Sequence, residues 1–146
     1  MPSEQIGARV AAIYELQSAW LEPRLRAIGV NWTTFQLLTT VSSAGKKASQ
    51  VEVARRLGVT AATLSETVFA HVQKDLLEQV PSHRDRRVKV LQLTERAKAM
   101  MRQIKRLVAE SESALAQGLR SGEADQLAAL LDRVLASLEG AVESDN

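Results

Sequence analysis

The sequence predicts a mainly α-helical protein with one small β-hairpin. Only 3% of the 146 residues are aromatic, so leucine, valine, isoleucine and alanine must build the interior, which favours helices over a β-sandwich. Apolar residues recur at three- and four-residue steps over most of the chain, and alternation is confined to one short stretch near its middle. A composition of 45% hydrophobic and 25% charged residues is typical of an ordinary folded domain.

Long amphipathic helices are predicted towards both ends of the chain. The first covers residues 4–28, where Pro23 is expected either to kink the helix or to start a new helical segment. A later helix begins after Thr94 and runs to about Leu119. The last helix follows Ser121, which we expect to cap it, and carries an apolar stripe.

Two short helices joined by a tight turn are predicted in the middle of the chain. Ser49 and Glu52 have the spacing of a capping box, in which the Ser49 hydroxyl accepts from the Glu52 amide and the Glu52 side chain returns to Ser49. The turn falls at Gly58, and Thr60 is a good N-cap for the next helix, residues 61–74. Two short helices joined by a glycine-containing turn are the signature of a helix-turn-helix.

A β-hairpin with a polar tip is predicted directly after these helices. Residues 77–80 form its first strand and residues 88–93 its returning strand. Another helix, residues 33–43, precedes the helix-turn-helix. The predicted fold class is therefore a winged helix-turn-helix domain, residues 33–93, with additional helices on both sides.

Basic residues concentrate in the part of the chain that holds these motifs. Residues 46–89 contain nine lysines and arginines and five acidic residues. Residues 1–45 contain three of each, and residues 90–146 contain seven basic and nine acidic residues. This distribution indicates that the middle of the chain meets a polyanion.

The start of the second short helix and the hairpin tip are the predicted DNA-binding elements. Small hydroxyl-bearing side chains at a helix N-terminus can approach base edges and phosphates, and the helix dipole adds attraction for phosphate. Arginines at a hairpin tip can enter the narrow minor groove. Glu66 either accepts from cytosine N4 or points away from the duplex. The residues expected to contact DNA are Ser49, Thr60, Ala61, Ala62, Thr63, Ser65, Glu66, His83, Arg84, Asp85, Arg86 and Arg87.

These motifs resemble the MarR (multiple antibiotic resistance regulator) family. Residues 50–60 look like that family's helix-turn-helix elements, and Thr63-Leu64-Ser65 continue into its recognition helix. Asp85-Arg86-Arg87, followed by Leu91-Gln92-Leu93-Thr94, is similar to its wing motif. The resemblance covers about residues 8–140. It implies a homodimeric transcriptional regulator with one domain over 1–146, in which residues 33–93 bind DNA and residues 4–28 and 95–140 are dimerisation helices.

The resemblance also implies roles for individual residues. Asp85 is expected to hold Arg87 in position, and the protein is expected to be a repressor that a small molecule releases from DNA. Four positions depart from the family pattern: Asp75 stands where a helix-ending glycine is usual, Gln79 where arginine is frequent, His71 in place of a core leucine, and Glu66 as an acid in the recognition helix. These departures bear on base preference and affinity and not on the fold.

Two further sets of residues are candidates for binding partners. Leu127, Leu131, Val134 and Leu138 form an apolar stripe that is expected to pair with a second copy, placing two recognition helices on a pseudo-palindromic double-stranded DNA operator. The aromatic residues cluster in the first two helices, either as core and interface residues or around a small aromatic or phenolic effector, as the resemblance implies. The candidate pocket residues are Tyr14, Gln17, Trp20, Trp32 and Phe35.

Several function classes find no support in the sequence. The chain has no cysteine, which excludes disulfides and thiolate metal sites. Two histidines make a thin ligand set for a metal, and no serine lies in a nucleophile-elbow motif, so we expect no metal, no cofactor and no enzyme activity. Without a secretory signal or a membrane-spanning apolar run, a cytoplasmic location is expected. The alternative to a DNA-binding regulator is a winged-helix protein–protein interaction module without specific DNA binding.

Overall fold

The computed structural model describes residues 5–145, and it confirms the predicted mainly α fold with a small hairpin. The chain divides into two compact units, Met1–Ser111 and Glu112–Asn146, and its assignment to a single domain stays a prediction. No helix among the described residues combines the length and apolarity needed to cross a membrane. The elements are α1 (Ile6–Ala27), α2 (Trp32–Ala44), a 3-10 turn (Gly45–Lys47), α3 (Gln50–Leu57), α4 (Ala61–Gln73), β1 (Leu77–Pro81), β2 (Lys89–Leu93), α5 (Glu95–Ala116) and α6 (Glu123–Ser144).

Helix α1 runs through Pro23 as one helix, so Pro23 does not start a new helical segment. A proline inside a helix removes one backbone hydrogen bond and costs about 3 kcal/mol. Leu21 and Leu25 lie on either side of it and are 4% and 0% exposed. Because burying each leucine contributes roughly 1.5–3 kcal/mol, the packing of these two side chains offsets the cost of the proline.

A side-chain cap at the start of α3 and a left-handed glycine after its end set the geometry of the helix-turn-helix. The Ser49 hydroxyl accepts from the Glu52 amide at 3.2 Å, as predicted. The predicted return contact from Glu52 to Ser49 is wrong, because the Glu52 carboxylate binds Arg55 and Arg56 instead. Helix α3 ends at Gly58, whose φ of 66° is left-handed and suits a residue without a side chain.

Strands β1 and β2 form an antiparallel hairpin within one residue of the predicted bounds. The register pairs Leu77 with Leu93, and both of these ends lie where the hairpin meets the helices. A single bridge between Ser49 and Val90 joins β2 to the start of α3. The hairpin is therefore fixed to the helix-turn-helix by backbone pairing and is the wing of the fold.

The first compact unit has a continuous apolar interior that also contains one histidine. His71 is 4% exposed, and its Nδ1 donates to the Thr67 carbonyl at 2.6 Å. Since Nδ1 carries the proton, Nε2 accepts from the Thr34 hydroxyl at 2.9 Å. Both ring nitrogens are thus paired. The largest fully buried side chains are Leu25, Leu37, Leu38, Leu64, Leu77, Leu91, Ile104, Val30, Val53 and Val68.

Helix α6 begins differently from the prediction and buries none of its described side chains. Ser121 does not cap it, because the left-handed Gly122 (φ 82°) occupies the N-cap position. The Glu123 carboxylate instead accepts from the Arg120 amide at 2.6 Å. The predicted interface stripe is open to solvent, with Leu127 44%, Leu131 38% and Leu138 59% exposed and Val134 partly exposed.

Candidate nucleic-acid interface

Helix α4 is anchored by one face and leaves its N-terminus free. Leu64, Val68 and His71 are its buried side chains, and they recur at the helical period. The Thr60 hydroxyl accepts from the Thr63 amide at 3.1 Å and caps the helix as predicted. The first turn of α4 therefore presents the positive end of the helix dipole to solvent.

The predicted contact residues at the start of α4 are all open to solvent. The Thr60 hydroxyl also donates to the Thr63 hydroxyl at 3.0 Å, so the two side chains hold each other at the tip of the helix. Ser49 is half-buried, and its hydroxyl is occupied as the cap of α3. The exposed residues of this set are Thr60, Ala61, Ala62, Thr63, Ser65 and Glu66.

An exposed stripe on α4 contains an aromatic residue that sequence reasoning missed. Ala62, Glu66 and Phe69 follow the helical period on the side opposite the buried residues. Phe69 is 67% exposed, which is unusual for so apolar a side chain. The helical period alone places Phe69 beside Ala62 and Glu66, so the signal that could have found it is present in the sequence. Alanine and phenylalanine at such positions are able to contact thymine methyl groups.

A chain of two hydrogen bonds connects α4, α3 and the wing, and it too was missed. The Gln79 amide on β1 donates to Gln50 Oε1 at 2.6 Å. The Gln50 Nε2 in turn donates to the Ser65 hydroxyl at 3.3 Å. No sequence signal pairs residues 15 and 29 positions apart, so only the folded arrangement reveals this network.

The wing tip holds Asp85 and Arg87 together. Arg87 donates from Nε to Asp85 Oδ1 at 3.2 Å and from Nη2 to Oδ2 at 3.3 Å, and its backbone amide also donates to Oδ1 at 3.0 Å. These contacts, chiefly from the guanidinium, lower the pKa of the Asp85 carboxyl from its usual 3.8. The Arg87 side chain is 91% exposed, so the contact restrains a cation that projects into solvent.

The other basic side chains of the wing are exposed and unpaired. Arg84 and Arg86 have no acidic partner within residues 5–145, and His83 is also exposed. In contrast, Arg55 and Arg56 on α3 share the carboxylate of Glu52, whose pKa they lower to about 2. The wing therefore carries more uncompensated positive charge than α3, where two arginines share one carboxylate.

Four of the five candidate effector-binding residues contact other side chains of the first unit. The Trp32 and Phe35 rings are tilted, with centroids 4.9 Å apart. The Arg24 guanidinium lies 3.9 Å from the centre of the Trp20 ring and donates to the Trp20 carbonyl at 2.7 Å. The other two are Gln17, which donates to the Ser111 hydroxyl at 3.0 Å, and Tyr14, which is 55% exposed.

The side chains that could bind metal are dispersed. His71 is occupied by two hydrogen bonds in the interior, whereas His83 lies on the exposed wing. Within the described part of the chain, no group of three or more histidine or acidic side chains is placed to hold a metal ion.

Comparison with known proteins gives the same architecture. Residues 28–88 match the MarR family. The reduced form of MarR from E. coli is 25% identical, and the alignment covers 92% of this chain and 97% of that chain with a TM-score of 0.70. S. aureus MepR in its DNA complex is 20% identical, with 90% and 97% covered and a TM-score of 0.73. CouR from Rhodococcus jostii RHA1, bound to p-coumaroyl-CoA, is 17% identical, with 90% and 92% covered and a TM-score of 0.75.

The fold and the exposed recognition helix beside a basic wing define a winged helix-turn-helix protein. The matched segment, residues 28–88, contains α2, α3, α4 and most of the wing. This segment matches the MarR family, and the chain as a whole has the fold of E. coli MarR. Both the family and the fold are those of transcription regulators.

Proposed function

We propose that this chain binds double-stranded DNA in a sequence-specific manner and represses transcription. The observation that carries the proposal is the exposed face of α4 beside a wing whose arginines, apart from the Asp85–Arg87 pair, have no acidic partner among the described residues. An α-helix fits the major groove, where base pairs are distinguishable, and arginine suits the narrow minor groove. The structural neighbour MepR is known in complex with DNA, which supports the same use of this fold.

The proposed DNA-binding form is a homodimer. Helix α6 leaves its apolar stripe open, and the first half of α1 exposes Ile6, Val10 and Ile13 at 46–51%. Large exposed apolar faces of this kind mark interfaces between proteins. A twofold pair would present two recognition helices to half-sites about 10 base pairs apart on a pseudo-palindrome.

A small aromatic or phenolic compound is the proposed effector that releases the DNA. CouR, which shares this fold, binds p-coumaroyl-CoA. Both tryptophans of this chain, Trp20 and Trp32, are among the five candidate pocket residues. Quenching of tryptophan fluorescence by phenolic acids, measured together with dissociation of a DNA complex, tests this part of the proposal. Quenching without release of DNA would contradict the regulatory role.

The proposal makes the chain a regulator and not an enzyme, and it places the chain in the cytoplasm. The alternative is a winged-helix module that binds another protein. The two functions differ in how the binding affinity depends on salt. A protein that neutralises DNA phosphates releases counterions and loses affinity as the salt concentration rises, whereas a protein–protein interface releases no such counterions.

The deciding experiment is titration of genomic duplex fragments at about 50 and 200 mM salt. We expect specific fragments to bind, with a loss of affinity of about 1000-fold between the two conditions. Arg84→Ala combined with Arg86→Ala should flatten the salt dependence, whereas Arg133→Ala on α6 is the matched control and should not. A salt-independent interaction, or none, would reject DNA binding.

A further inference from the structure

Ser65 lies at the end of a relay of hydrogen bonds that fixes which way its hydroxyl points. An isolated serine hydroxyl reads DNA poorly, because it rotates freely and pairs with donors and acceptors alike. Here Gln50 Nε2 donates to Ser65 Oγ, so the oxygen is already an acceptor on the protein side. The Ser65 proton therefore points elsewhere.

The Ser65 hydroxyl proton has no backbone acceptor in the described part of the chain, unlike the hydroxyl protons of comparable helical residues. Ser18 and Thr67 each donate to the backbone carbonyl four residues earlier, at 2.7 and 2.9 Å. This is the usual way for a helical serine or threonine to satisfy its proton. Ser65 makes no such bond within residues 5–145, and it is exposed on α4. Its proton is available to a ligand.

Gln79 sets the direction of the relay from the wing. Its Nε2 donates to Gln50 Oε1 at 2.6 Å, which turns the Gln50 amide so that Nε2 faces Ser65. Both groups of the Gln50 amide are thus paired, the oxygen with Gln79 and the nitrogen with Ser65. Three elements of the fold, β1, α3 and α4, contribute one residue each.

We propose that Ser65 is a dedicated hydrogen-bond donor to an acceptor on a base edge in the major groove, and that Gln79 is the positioning residue that imposes this polarity through Gln50. The acceptor belongs to the set of purine N7, guanine O6 and thymine O4. The inference rests on the proposed DNA-binding function and specifies which base chemistry one position of the site must offer.

Reversing the relay provides a direct test. In Gln79→Glu the carboxylate only accepts, so Gln50 must turn its Nε2 towards residue 79 and its oxygen towards Ser65. The Ser65 hydroxyl then donates to Gln50 and offers a lone pair to DNA. In Gln79→Lys the ammonium only donates, so the original polarity is kept. The two variants differ in relay direction while both place a charge at the same site.

The measurement is selection of bound sequences from a random duplex library by wild type and both variants, followed by titration of single-base-pair variants of the selected site. Wild type and Gln79→Lys should prefer an acceptor-bearing edge at the Ser65 position. Gln79→Glu should shift the preference towards the amino groups of adenine or cytosine, by about three- to tenfold, the scale of one hydrogen bond. In a Ser65→Ala background, Gln79→Glu should leave the preference at that position unchanged.

The possible failures are distinguishable. If wild type selects no sequence, the proposed function fails and the relay with it. If wild type selects a site but Gln79→Glu weakens all sequences equally, Ser65 contacts a phosphate or nothing, and the relay proposal alone is overturned. A shift that persists in Ser65→Ala would show that Gln79 acts on DNA directly, which also overturns it.

Discussion

The two compact units of the chain differ in where their apolar side chains lie. The first unit places large aliphatic side chains such as Leu38 and Ile104 at 0% exposure. Helix α6, in the second unit, carries five leucines among its 22 residues, yet none of its described side chains is buried. The first unit therefore has an apolar interior of its own, whereas the leucines of α6 are exposed.

The buried polar side chains also lie in the first unit. In the first unit the buried hydroxyl of Thr34 and the ring of His71 are paired with each other, and no buried polar side-chain atom among the described residues lacks a partner. Helix α6 has no buried polar group to pair. The comparison teaches that the first unit is stabilised by its own contacts, whereas the apolar stripe of α6 stays open to solvent, as the proposed dimer requires.

The largest expected effect follows from Leu131→Asp in the open stripe. In the dimer this carboxylate would be buried without a partner, which is strongly unfavourable. We expect monomers or unfolded chains and a loss of operator affinity of about 100-fold or more, because two linked half-site contacts become one. Light scattering and a DNA titration measure the two effects.

Ala129→Asp is the matched control for this substitution. It adds the same charge two residues away, on the opposite face of α6, where the side chain is exposed. It should leave the dimer and its affinity intact. A folded Leu131→Asp dimer with unchanged affinity would show that the stripe is not the dimer interface. The exposed leucines of α6 would then need another explanation.

The interior of the first unit is tested by the His71–Thr34 pair. His71→Leu leaves the Thr34 hydroxyl buried without its partner, and Thr34→Val leaves His71 Nε2 without a donor, so each should lower the free energy of unfolding by about 1–3 kcal/mol. The double variant replaces both polar partners and should lose much less than the sum. Denaturant unfolding at fixed protein concentration measures this, and fully additive losses would mean that the pair does not couple α2 to α4.

The wing should affect DNA binding without affecting the interior. Arg87→Ala is expected to weaken operator binding by about 1–3 kcal/mol, the scale of a specific groove contact. Asp85→Ala should weaken it through the same side chain, so the double variant should show less than the sum of the two losses. Unfolding curves should be unchanged, since both side chains are exposed. Additive losses of affinity would show that Asp85 does not position Arg87.

The sequence predicted those elements whose cause is local. Ser49 and Thr60 cap their helices because a hydroxyl lies three residues before a free amide, a relation visible in the sequence. The start of α6 was mispredicted because Gly122 adopts a left-handed backbone that moves the cap by one residue. The return contact of the capping box is absent because the Glu52 carboxylate accepts from Arg55 and Arg56, which lie within one helical turn of it.

Contacts between distant elements were beyond sequence reasoning. The relay of Gln79, Gln50 and Ser65 needs β1, α3 and α4 in their final positions. The sequence marked His71 as a departure from the family pattern, but it did not identify Thr34 as its hydrogen-bond partner. The recognition helix and the wing were predictable as elements, whereas the side-chain geometry between them was not.

A smaller effect is expected at the end of α4, where Asp75 has a φ of 58°. The left-handed conformation is strained for most side chains, tolerated by aspartate and free of strain for glycine. We expect Asp75→Gly to raise the free energy of unfolding by at most about 1 kcal/mol and Asp75→Ala to lower it by a similar amount. Operator affinity should not change in either variant. The opposite order of the two variants in thermal unfolding would show that this residue is not left-handed in solution.

The smallest effect concerns the ionisation of Asp85 on the exposed wing. Because Arg87 lowers the pKa of the folded carboxyl below its usual 3.8, the contact contributes fully above that value and is lost as the pH falls through the lowered pKa. At pH 3.8, NMR of the side-chain carboxyl carbon should therefore show Asp85 mostly ionised. In Arg87→Ala it should be closer to half protonated, although the backbone amide of residue 87 keeps part of the shift. Arg84→Ala, the control that removes an arginine without a contact to Asp85, should resemble wild type. An Asp85 that titrates identically in wild type and Arg87→Ala would mean that the guanidinium does not hold the carboxylate, and the wing would then present Arg87 unrestrained.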